Sequence, residues 1–243
     1  MFGLFSKDRG LKRAMDKVTN KHAQSVDRWA AMEKVAKDGS DEALHALCTR
    51  FGFKYDKTIE DQQEKQWVVD TLVARGAAAL PALRRYMKTA ASLHYPLIVL
   101  GHVADPATVF DFIDEILADE PPGYTRDPER RTDVLSWLAE WEAGSNQDVA
   151  RRILPYLEDF DENVRYMAVD ALGFKASPEA AEPLIKALVR EEEESRRLRQ
   201  RIAEVLADNQ WDLGERKTEV AALLETHLPG YKMHRDRLVR QGG

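Results

Sequence analysis

The chain has 243 residues and a single cysteine, Cys48. That excludes an internal disulfide and any cysteine-rich metal site, and it fits a reducing compartment. Cys48 falls between Leu47 and Phe51 on an apolar-leaning helix, the setting of a small buried core residue rather than a nucleophile. Six histidines are present, at 22, 45, 94, 102, 227 and 234, and no two form a His-x-x-x-His pair. A helical zinc site therefore has no sequence basis. No glycine-rich phosphate loop occurs, and no Gly-x-Ser-x-Gly elbow. The most apolar internal stretch, Leu97 to Val103, falls far short of the roughly 20 residues a membrane span needs. The apolar run in Met1–Lys7 is too short for a signal peptide. With these gaps the expectation is a cytoplasmic protein with no metal, no cofactor and no catalytic residue.

Basic charge is also scarce where nucleic acid would need it. The net charge is −6. Residues 1–23 carry six Lys/Arg against two Asp, and residues 230–243 carry four against one, so an acidic body has two basic ends. Phe2, Leu4 and Phe5 followed by Lys7, Arg9, Lys12, Arg13, Lys17 and Lys21 allow two readings. One is a weak peripheral membrane contact through the N-terminus. The other is a basic capping helix over 1–23, which the sequence favours because one short segment anchors weakly. Residues 230–243 read as a basic tail, either a frayed helix or a disordered arm.

What the chain does have is a period. Arg131, Arg165 and Arg199 are separated by two steps of 34 residues, and so are Leu138, Leu172 and Leu206. A fixed period of this size marks stacked supersecondary units. In the clearest unit, Asp161-Glu162-Asn163 precedes a helix whose Val164, Ala168, Ala171 and Leu172 share one face. Ser177-Pro178 then opens a second helix with Leu184 and Leu188 as its stripe. The first register recurs at Arg28/Ala31/Val35, Lys65/Val68/Leu72, Leu93/Pro96/Leu100, Arg131/Val134/Leu138 and Arg199/Ile202/Leu206. Partner helices are expected in 8–21, from 41, from 77, from 106 and from 145, with a last helix ending near His227 before Pro229-Gly230. Loops 51–60 and 119–128 interrupt the period.

The string Val164-Arg165-x-x-Ala168-x-x-Ala171-Leu172-Gly173, followed by Pro183-Leu184-x-x-x-Leu188, resembles HEAT repeats, in the short bacterial version also seen in bilin-lyase-type proteins. The resemblance covers about residues 8–228 and is strongest in 127–228. It implies an all-α fold: a right-handed α-solenoid of about six antiparallel helix pairs plus a terminal capping helix, in one domain over 1–229. It also implies a ladder of structural arginines, Arg28, Arg131, Arg165 and Arg199, each bonding an acidic turn of a neighbouring repeat. Asp127, Asp133, Asp159 and Asp161 are suitable acceptors. Iron-binding His-Glu pairs of hydroxylase relatives are absent.

The register also names the side chains that point away from the core. One column reads Trp29, Gln66, His94, Thr132, Tyr166 and Gln200; the next reads Glu33, Asp70, Ile98, Ser136, Asp170 and Glu204. Aromatic and acidic positions with no base predict a concave face that binds a basic or amphipathic segment of another protein. The competing reading is an ordinary solvated face, since exposed charge is the default. A nucleic-acid-binding or base-repair relative would need a basic track there, which the four carboxylates oppose. A bilin-lyase-like chaperone is a further alternative, although no residue marks a tetrapyrrole pocket. The acidic run Glu191–Glu194 before Arg196, Arg197 and Arg199 reads as helix-dipole and i,i+4 pairing rather than a calcium site. Trp137 and Trp141, four apart, are expected to pack between repeats, and Trp211 under the terminal helix.

Overall fold

The computed structural model describes residues 2–55 and 57–241, with side chains from Arg9 onward. Among these residues the chain is helical apart from one short hairpin. It separates into two compact units, Met1–Asp119 and Glu120–Gly243.

The first unit holds α1 (Phe2–Val18), α2 (Ser25–Asp38), α3 (Asp41–Cys48), α4 (Thr58–Arg75), α5 (Leu80–Met87), α6 (His94–Val103) and α7 (Pro106–Asp119). α2, α4 and α6 are neighbours in one layer, and α1, α3 and α5 in the other. Ala31, Val35, Val68, Leu72, Leu93, Pro96 and Leu100 all face the core, where the period places them. Each fully buried Val or Leu contributes about 1.5–3 kcal/mol. Ser40 starts α3 by accepting from the Ala43 N–H at 3.3 Å. α2 stops at Gly39, whose φ of 69° only glycine adopts without strain. α1 lies on α2, burying Ala14 and Val18. The membrane-facing alternative rests on Phe2, Leu4, Phe5 and Lys7, whose side chains lie outside the described residues.

The second unit holds α8 (Glu129–Glu140), α9 (Asn146–Ile153), α10 (Glu162–Lys175), α11 (Ala181–Val189), α12 (Arg196–Asp208) and α13 (Lys217–Leu224), then β1 (Tyr231–His234) and β2 (Arg237–Arg240). α10 is flanked by α8 and α12. Asp161 caps it, accepting from the Asn163 and Val164 N–H groups at 2.8 and 3.2 Å. Ser145 and Ser195 do the same for α9 and α12. Ser177 does not: its side chain makes no cap bond, Pro178–Ala180 forms a 3-10 turn, and α11 begins at Ala181. Gly173 is required for close packing, since a Cβ there would lie 2.7 Å from Val205 Cγ2.

The tail 230–243, expected as a frayed helix or disordered arm, is an ordered antiparallel hairpin over its described part. Its turn residues Arg235 and Asp236 have φ of 46° and 62°, the mirror-image turn that suits strand twist. Tyr231 and Leu238 are buried, β2 packs on α12, and the Leu213 N–H donates to the Asp236 carbonyl at 2.8 Å. Burial of these two side chains holds a segment whose local charge pattern alone would leave it free.

Candidate functional site: an arginine ladder and two outward faces

All four ladder arginines donate to a backbone carbonyl a few residues before them in the chain, and three of them also reach a carboxylate. Arg28 Nε donates to Glu64 Oε2 at 2.7 Å and its Nη1 to the Ala23 carbonyl at 2.9 Å. Arg131 Nη1 donates to Asp159 Oδ2 at 2.8 Å and to the Gly123 carbonyl at 2.6 Å. Arg165 forks onto Glu193 and also donates to the Asp159 carbonyl at 2.9 Å. Arg199 Nη2 donates to the Arg190 carbonyl at 2.8 Å, and its Nε is buried without a hydrogen bond. Arg131 and Arg165 tie the start of one helix to the turn that opens the next repeat's helix, whereas Arg28 reaches Glu64 within α4. Of the four Asp acceptors considered, Asp159 receives Arg131. Asp161 caps its own helix and Asp127 accepts the Glu129 N–H.

In the first unit, Trp29 is half-buried on α2, while Glu33, Gln66, Asp70 and His94 are exposed. Trp29 meets Trp67 edge to face, ring centroids 5.7 Å apart. Gln66 Nε2 donates to Asp70 Oδ1 at 2.9 Å. His94 opens α6 and sits edge-on to Tyr95. Within the described residues no cation pairs with Glu33 or Asp70.

The second unit differs. Tyr166, Asp170, Gln200 and Glu204 are half-buried. Arg201 Nε donates to Asp170 at 2.8 Å and its Nη1 to Glu204 at 3.1 Å, so one guanidinium clasps both carboxylates. Arg197 lies over the Tyr166 ring at 4.5 Å. Neither arginine belongs to the outward columns, yet their long stems bring the charge onto that face.

Residues 149–230 match the HEAT repeats family. That stretch, about a third of the chain, is similar to HEAT repeats. No curated protein matches the chain.

Three features around the matched stretch escape the period. Glu193, in the acidic run, is buried and paired with Arg165 rather than solvated at a helix start; it also accepts the Ser195 N–H at 2.9 Å. Trp137 and Trp141 stack with centroids 5.3 Å apart, Trp141 buried and Trp137 partly so. The Trp141 carbonyl accepts from the buried Lys175 ammonium, whose pKa burial pushes below its usual value.

The largest feature outside the period is a buried charge cluster in the first unit. Arg28, Arg50, Asp61, Glu64 and Lys65 are all nearly inaccessible, with Arg50 and Glu64 at 0% exposure. Glu64 Oε2 accepts from both Arg28 and Arg50, the latter at 2.6 Å. Asp61 accepts from Arg50 Nη2 at 2.6 Å and from Lys65 Nζ at 2.8 Å. Phe53 and Tyr55, from the loop that breaks the period, lie over the two guanidinium groups. Burial raises the carboxyl pKa values, but hydrogen bonds from Arg28 and Arg50 to Glu64, and from Lys65 and Arg50 to Asp61, outweigh it and hold both below the usual range. Arg50 follows α3 in a 3-10 turn, so no helical register could have paired it with Glu64. Cys48 is fully buried next to this turn. No group of three His, Cys, Asp or Glu able to hold a metal occurs among the described residues. No helix there is long and apolar enough to cross a membrane.

Proposed function

We propose that this chain is a non-catalytic scaffold that holds another protein in the cytoplasm. Its contact surfaces are the outward faces of α2, α4 and α6 in the first unit and of α10 and α12 in the second, and they take a basic or amphipathic segment. HEAT repeats are commonly protein-interaction scaffolds, and the family is typically non-catalytic. The observation that carries the finer reading is in the first unit. The Trp29–Trp67 pair stands one helical turn from two carboxylates, Glu33 and Asp70, that no cation among the described residues occupies. Tryptophan supplies the apolar anchor of an interface, and open carboxylates select a cationic neighbour. In the second unit Arg201 already clasps Asp170 and Glu204, so Tyr166 and Gln200 supply contact there more than charge does.

The test is a comparison of partners captured by the wild type, a Glu33→Lys/Asp70→Lys variant and an Asp170→Lys/Glu204→Lys variant of unchanged fold. The first variant is expected to lose partners that the wild type retains, and the second to lose fewer. Identical recovery by all three would remove the charge-selecting face from the account.

A further inference from the structure

Beside the buried charge cluster of the first unit lies a cavity of about 240 Å3, walled by Lys21, Ser25, Arg28, Tyr55, Lys57 and Glu60. Its inner wall is charged. The cluster behind it holds three cations, Arg28, Arg50 and Lys65, and two carboxylates, Asp61 and Glu64, each already shared between two cations. Among the described residues one positive charge is therefore in excess. A buried charge without a counter-charge is far more costly than a paired one. Arg28 is the member of the cluster that reaches the cavity.

Two polar atoms of the same wall point to an occupant. Tyr55 Oη and Glu60 Oε2 are buried and make no hydrogen bond. Buried polar atoms are nearly always satisfied, so an orphan pair on one cavity wall marks a missing water or ligand. Tyr55 offers a donor and Glu60 an acceptor. Lys21 and Lys57 stand exposed at the rim, where cations draw an anion in, and Lys57 also donates to the other Glu60 oxygen, Oε1, at 3.0 Å. Val26 and Ile59, each next in sequence to a wall residue, are exposed apolar side chains.

We propose that this cavity binds an oxyanion, a phosphate or carboxylate group, on a carrier that also supplies a hydrogen-bond donor. The oxyanion meets Arg28, the two rim lysines and the Tyr55 hydroxyl. The donor, a hydroxyl or N–H of the ligand, meets Glu60 Oε2. The volume exceeds what one oxyanion needs, which leaves room for part of the carrier. The site is separate from the outward face proposed above, so the failure of either leaves the other standing.

The test is an amide NMR titration of the full chain with inorganic phosphate and, separately, with acetate, against sodium chloride at matched ionic strength. Saturable shifts at Ser25, Tyr55 and Glu60 with at least one probe are expected. The tighter probe identifies the carrier as a phosphate or a carboxylate compound. In a Lys21→Gln/Lys57→Gln variant, whose changed side chains are exposed, the midpoint should rise about tenfold, as for two partly screened charges. Shifts that fail to saturate with both probes overturn the proposal. So does a midpoint that the double variant leaves unmoved.

Discussion

Arg165 and Glu193 form a two-pronged ion pair: Nε to Oε2 at 2.9 Å and Nη2 to Oε1 at 3.1 Å. The paired groups come from α10 and from the turn before α12, so the contact fixes the spacing between successive repeats. A planar guanidinium matches a carboxylate in this way and an ammonium does not.

The pair sorts four adjacent glutamates that look alike. Glu193 is buried, while Glu191, Glu192 and Glu194 are exposed. Glu193→Ala leaves the partly buried Arg165 and the Ser195 N–H without their acceptor and is expected to cost about 2–4 kcal/mol. Alanine at Glu191 or Glu192 should stay within about 0.5 kcal/mol. Urea unfolding of the three variants measures the contrast, and equal losses would contradict the role given to Glu193.

The same logic applies more strongly to Glu64, which serves two buried arginines. Glu64→Ala strands Arg28 and Arg50 together and is expected to cost about 3–5 kcal/mol. A Glu64→Gln variant keeps the shape and separates charge from packing. Its loss should lie between those of the wild type and the alanine variant. A Gln variant as stable as the wild type at neutral pH would show that the charge itself contributes nothing.

The cluster also sets an acid limit. Asp61 and Glu64 have folded pKa values below their ordinary ones. Between the ordinary and the depressed values the unfolded chain binds more protons, so stability falls as pH falls. The contribution is complete above the ordinary carboxylate range, near pH 4–5, and is lost as pH drops through the folded values. Stability measured from pH 7 down to pH 3 should decline more steeply for the wild type than for Glu64→Gln. Parallel curves would place the acid sensitivity elsewhere.

Cys48 gives a reading of unfolding itself. Burial pushes its thiol up to about 12, so almost no thiolate is present near neutrality. The native chain should resist a thiol-reactive disulfide reagent at pH 8. In denaturant it should react fully, as an ordinary thiol does. Labelling of the native chain at the denatured rate would mean that α3 opens readily.

Much of this fold was readable from spacing. The buried stripes Val68/Leu72, Val134/Leu138 and Ile202/Leu206 repeat because a helix that packs between two neighbours must present the same face each time. Charge partners carry no such period. Arg50 reaches Glu64 from a turn, and Arg201 crosses from a neighbouring column to cover Asp170 and Glu204. A long side chain chooses its partner by where turns and stems end, which one-dimensional spacing does not encode. At the outward columns the sequence identified side chains that avoid the core, yet it could not show which carboxylates were already clasped.

The hairpin was hidden for a different reason. Its strands alternate, with Tyr231 and Met233 opposite Leu238 and Arg240, but its turn is Arg235-Asp236, without the glycine or asparagine that normally flags a two-residue turn. Positive φ at both residues costs backbone energy, so tertiary burial must supply the compensation. Leu238 is the side chain that does so, wholly buried on a strand that packs against α12. Leu238→Ala is expected to destabilise the second unit by about 2–4 kcal/mol. Asp236→Gly removes one strained residue, and as long as the Lys217 ion pair at 3.1 Å between exposed groups contributes little, it should be neutral or mildly stabilising. Thermal unfolding of the two variants tests both halves of the argument. A Leu238→Ala chain as stable as the wild type would mean the hairpin is an ornament on the last repeat rather than its cap.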